Sequence, residues 1–75
     1  MKNSIAENIR YYRKQLNMTQ AQLGAIFGGG ASLISNYENG YSIPDINVLY
    51  KLAKIFDITI DELVEWEDDD SDGIY

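Results

Sequence analysis

Three apolar-patterned stretches of this 75-residue chain open on a Ser or Thr followed three positions later by a Glu or Gln: Ser4 with Glu7, Thr19 with Gln22, and Thr59 with Glu62. This is the capping-box spacing, in which the two side chains reciprocally satisfy backbone donors left open at a helix N-terminus. Pro44-Asp45 marks a fourth start, because Pro confines the chain and Asp45 is placed to cap the helix after it. Starts this close together leave room only for short helices joined by short links.

Apolar residues between these signals recur at helical spacing. Ile5, Ile9, Tyr12 and Leu16 fall on one face of a first segment, and Ile46, Leu49, Leu52, Ala53 and Phe56 on one face of a fourth. Leu23, Ile26 and Phe27 do so in a second, Ile34 and Tyr37 in a third, and Leu63 and Val64 in a fifth. No stretch alternates as a strand would. The pattern predicts helices over 4–16, 19–27, 31–37, 45–56 and 60–66, an all-α, compact five-helix domain spanning residues 1–66. An acidic tail, 67–75, is expected to follow it without joining the core.

Composition excludes several classes of function. The chain has no Cys and no His, and its carboxylates are scattered over helices without a base or nucleophile beside them, so neither thiolate metal sites nor catalysis is expected. No cofactor is expected either. Three consecutive glycines, Gly28 to Gly30, lack the Gly-Lys-Ser/Thr ending that a nucleotide-binding loop requires. Asp68, Asp70, Asp72 and Gly73 spell the opening of a calcium loop, but its bidentate Glu is not reached before Tyr75, and no metal is expected. Apolar runs are too short to cross a bilayer and the first ten residues lack a signal-peptide block, so a cytoplasmic location with no membrane partner is the expectation.

The net charge of −6 is unevenly placed. Residues 1–66 hold six basic and seven acidic side chains, a balance of −1, and Glu67, Asp68, Asp69, Asp70 and Asp72 supply the remainder. The acidity is therefore largely a property of the tail, and it says little about what the body binds.

The segment "TQAQLGAIFGGGASLISNYENG" carries the informative motif. Two helices crossing at a steep angle need a small residue where their backbones approach, which Gly24 provides, and the first of them must end in a left-handed conformation, which suits Gly28. The segment resembles the helix-turn-helix of the lambda-repressor-like family of Cro/Xre type. Thr19-Gln20 matches the opening, Gly24 the small residue, Gly28 the turn, and Ile34-Ser35-Asn36-Tyr37-Glu38-Asn39-Gly40 the close, with no insertion. "NIRYYRKQLNMTQ" and "PDINVLYKLAKIFDITIDEL" are similar to the family's first, fourth and fifth helices, so the likeness covers about 60 of the 75 residues.

That resemblance implies a third helix lying in the major groove of double-stranded DNA. Carried over by position, the base-reading residues are Ala31, Ser32, Leu33 and Asn36, with Asn36 suited to adenine, Ser32 to either base type, and Leu33 or Ala31 to a thymine methyl. Backbone contacts fall to Arg10, Lys14, Thr19, Gln20, Asn39 and Tyr41. The resemblance also implies an ion pair between Arg13 and Glu38, and a homodimer for which Val64 and Trp66 offer apolar contacts.

Two departures from the family pattern carry consequences. Gly29 stands where an apolar residue such as Val is usual, and Gly30 where Ser or Thr often caps, so the third helix is expected to be loosely held at its leading end. In addition, no Lys or Arg occurs from residue 15 to residue 50. The chain is open to two functions. One is that of a sequence-specific DNA-binding regulator, a small repressor of a phage, mobile element or toxin–antitoxin-like operon. The alternative keeps the fold without DNA affinity, as an interaction module that docks a protein partner through the acidic tail or through Tyr11, Tyr12, Tyr41 and Tyr50.

Overall fold

The computed structural model describes residues 4–65, apart from the Ser4 side chain; Lys2, Trp66, the acidic run 67–75 and the Ser4 cap lie outside the described residues. Five helices run in order, α1 (Ser4–Gln15), α2 (Gln20–Ile26), α3 (Ala31–Glu38), α4 (Ile46–Phe56) and α5 (Ile60–Val64), and no strand occurs among the described residues.

Local chemistry sets most of the boundaries. Thr19 Oγ1 accepts from Gln22 N at 3.0 Å while Thr19 N donates to Gln22 Oε1 at 2.8 Å, closing the capping box of α2. Thr59 and Glu62 repeat it at 3.0 and 2.9 Å on α5, and Asp45 Oδ1 accepts from Val48 N at 3.0 Å to start α4. The first four helices end alike: a residue in the left-handed region, Asn17 (φ 57°), Gly28 (77°), Gly40 (79°) or Asp57 (61°), reverses the chain. The next N–H then reaches back five residues, Met18 to Arg13 O, Gly29 to Gly24 O, Tyr41 to Asn36 O and Ile58 to Ala53 O, at 2.9 to 3.2 Å. These are Schellman closures, which satisfy the last carbonyls and let the next helix begin at once.

The core draws on every helix. Ile9, Leu23, Ile34, Leu52 and Leu63, one from each, are fully buried, and Tyr37, Leu49, Ala53 and Phe56 complete the cluster. Each fully buried Ile or Leu contributes about 1.5–3 kcal/mol on removal from water, so no helix is dispensable in a chain this small. Tyr12 stacks on Phe56 at 5.7 Å between ring centroids, and Asn8 Nδ2 donates to Leu63 O at 2.8 Å, fastening α1 to the last carbonyls of α5.

Three residues expected on the inner faces lie outside: Leu16 is 46% exposed, Ile26 42% and Ile46 65%. Each sits at a helix end, Leu16 beyond the last residue of α1, Ile26 in the last position of α2 and Ile46 in the first of α4. There the chain is already turning away from the core, and helical periodicity no longer dictates a face.

Candidate nucleic-acid interface

Helices α2 and α3 meet at a backbone contact. A Cβ on Gly24 would run into the Gly30 carbonyl, standing 2.7 Å from its carbon, so the small residue at 24 is a geometric requirement of this crossing. Gly28, at φ 77°, makes the turn between them.

The inner face of α3 is locked. Ile34, Tyr37 and Glu38 are buried. Arg13 approaches Glu38 in bidentate fashion, Nε to Oε2 at 2.6 Å and Nη2 to Oε1 at 3.1 Å, while its Nη1 donates to Met18 O at 2.8 Å. Gln20 Nε2 donates to Glu38 Oε1 at 3.1 Å, and the exposed Arg10 lies 3.5 Å from the same oxygen. One carboxylate thereby joins α1, the start of α2 and the end of α3. Burial pushes the Glu38 carboxyl up, but the hydrogen bonds from Arg13 and Gln20, with the two guanidinium charges, overcome that effect and hold it below the ordinary carboxylate range. Among the described residues no buried side-chain polar atom lacks a partner.

The outer face of α3 is open. Ala31, Ser32 and Asn36 are exposed, and Leu33 is half-buried against the core. Of the residues expected to meet the DNA backbone, Arg10, Lys14, Thr19, Asn39 and Tyr41 are all exposed, Tyr41 by 80%. Thr19 is engaged in its cap, and Asn39 Nδ2 donates to Ser35 Oγ at 3.1 Å. Gln20 is half-buried and turned toward Glu38. Val64 is half-buried against the core. The two lysines of α4 each lie over an aromatic ring, Lys51 Nζ 5.3 Å from the Phe27 centroid and Lys54 Nζ 5.0 Å from that of Tyr50.

Sequence reasoning missed two parts of this site. Gln20 joins the ion pair, and Arg10 reaches the same carboxylate. The signal for Arg10 was its position three residues before Arg13, on the same helix face. Leu33 is the third surprise: it covers the turn at Gly29, where the start of α3 was expected to be loose.

A helical pair with a buried small-residue crossing and one polar outer face defines a helix-turn-helix module. The helix-turn-helix family model matches residues 9–63, and the chain belongs to that family, whose Cro/C1-type branch is lambda-repressor-like. It is 35% identical over 68 residues to the cryptic phage CTXphi transcriptional repressor RstR of Vibrio cholerae, a match covering 89% of this chain and 61% of that protein. It is 33% identical over 70 residues to a helix-turn-helix-type transcriptional regulator of Methanocaldococcus jannaschii, covering 93% of this chain and 100% of the other. The fold matches the P22 c2 repressor in complex with a synthetic operator, with a TM-score of 0.76, 30% identity, and coverage of 88% of this chain and 100% of that one.

Proposed function

We propose that this chain is a small sequence-specific DNA-binding transcriptional regulator, a repressor of a phage, mobile element or toxin–antitoxin-like operon. The observation that carries the reading is the division of α3 into a buried face tied down at Glu38 and an outer face that presents Ser32 and Asn36 to solvent. Similarity to a phage repressor and to a repressor bound to its operator supports the same reading.

In this reading Asn36 forms paired hydrogen bonds with adenine, Ser32 bonds a neighbouring base, and Ala31 packs on a thymine methyl, giving a preference for A·T-containing half-sites. Arg10 and Lys14 are the cations offered to phosphate: both are exposed, Arg10 from the rim of the Glu38 carboxylate, whereas Arg13 is buried in its pair. Thr19, Gln20, Asn39 and Tyr41 add neutral backbone contacts. The active form is a homodimer on two half-sites about one DNA turn apart, with Val64 and Trp66 contributing to the contact between copies. The test is selection of bound duplexes from a random pool at low salt. Enrichment of a repeated A·T-containing half-site, abolished by Asn36→Ala, is expected. A pool with no enriched sequence would overturn the proposal and favour the interaction-module alternative.

A further inference from the structure

Helix starts are ordinarily held by a side-chain cap, by a Glu or Gln at the third helical position, and by an apolar residue just before the cap that packs on the first turns. Helix α3 has none of these. Gly30 occupies the cap position with no side-chain hydrogen bond, Leu33 occupies the third position, and Gly29 precedes the cap. Yet the space beside Gly29 is filled. A carbon at the Cβ position of residue 29 would stand 2.9 Å from Leu33 Cδ2 and 3.2 Å from Leu33 Cβ, so the leucine lies directly over the turn. Leu33 is half-buried and continuous with the core.

We infer that Leu33 is a positioning residue for base reading: folded back over Gly29, it supplies from the helix the apolar anchor that the turn lacks, and base contact falls to its neighbours Ser32 and Asn36. This inference rests on the DNA-reading function proposed above. A side chain at 29 and a large one at 33 compete for one volume, so the two positions are coupled. The Gly29–Leu33 combination is one solution, and a large residue at 29 with a small one at 33 is the other. The angle at which α3 leaves the turn depends on that volume being filled once.

The test is a four-way comparison of wild type, Gly29→Val, Leu33→Ala and the double variant, read by melting temperature and by affinity for the selected duplex, with the selection repeated on Leu33→Ala. Each single variant is expected to melt several degrees lower and to bind roughly tenfold more weakly. The double variant should recover most of both losses, because a valine at 29 fits once the leucine is cut back and the turn gives by a few tenths of an ångström. Leu33→Met should stay within about twofold of wild type, since it is close in volume and apolar. The bases preferred by Leu33→Ala should be those preferred by wild type. Additive losses in the double variant, or a changed preference at one base with unchanged melting, would overturn the assignment of Leu33 while leaving the DNA reading intact. A wild-type chain that enriches no duplex overturns the DNA reading, and the base-positioning role with it, even where the melting temperatures are coupled.

Discussion

Helices α2 and α3 are neighbours of nearly equal length, and they begin in opposite ways. At α2, Thr19 and Gln22 close a full capping box, so the start of the helix is fixed by its own side chains. At α3 the cap is a glycine preceded by two more, and nothing from the side chain of residue 30 holds the first turn. The ends differ too. Both close in a Schellman turn, but α3 carries Glu38 there in a buried network with Arg13 and Gln20, whereas α2 ends on the exposed Ile26. The difference teaches that the supporting helix is fixed by local rules and the presenting helix by distant ones. Its trailing end is held by α1, and its leading end by packing against a bare turn.

The largest effect should come from breaking the far anchor. Arg13→Met leaves a buried carboxylate without its principal partner and is expected to cost about 3–5 kcal/mol, most of the stability of a domain this size. Denaturant unfolding measures it, and a loss comparable to that of Thr19→Ala would erase the contrast between the two helices. Acid should reproduce the effect in graded form. The folded-state pKa of Glu38 lies below its ordinary value of 4.5, so its contribution is fully present above that pH and is lost as the pH falls through the lower, folded value. Glu38→Gln should flatten this acid limb.

Next comes the crossing point. Gly24→Ala puts a methyl against the Gly30 carbonyl and should destabilise by about 1–3 kcal/mol through overpacking, although alanine is the better helix former. A stabilised variant would mean that the glycine turn simply moves aside. Smaller again is the cap of α2: Thr19→Ala should cost about 1 kcal/mol. Smallest of all, Gly30→Ser gives α3 the cap it lacks. The position has open space for a side chain and an extended backbone at φ −122°, so a gain of a few tenths of a kcal/mol is expected by thermal unfolding.

Much of the fold was legible because it is built from local signals. Capping pairs mark where helices begin, Gly28 marks where α2 ends, and periodicity placed Ile9, Leu23, Ile34, Leu52 and Leu63 inside. Periodicity failed at Leu16, Ile26 and Ile46, since a face has meaning only while the helix continues. Other features depend on how distant pieces meet. Asn8 bonds a carbonyl 55 residues away, and the overlap of Leu33 with Gly29 depends on the angle at which α3 leaves the turn. The family pattern drew attention to the missing side chain at 29 but could not say what would fill its place.

Binding by a presenting helix that carries no Lys or Arg has one direct physical signature, the salt dependence of DNA affinity. On the duplex recovered by selection, two cations per subunit, Arg10 and Lys14, predict a log–log slope of about −2 per subunit, a loss of roughly 16-fold per subunit for a fourfold rise in salt. A slope of about −8 would mean that phosphate neutralisation dominates, and would contradict an interface in which Ser32 and Asn36 meet the bases while neutral groups hold the backbone.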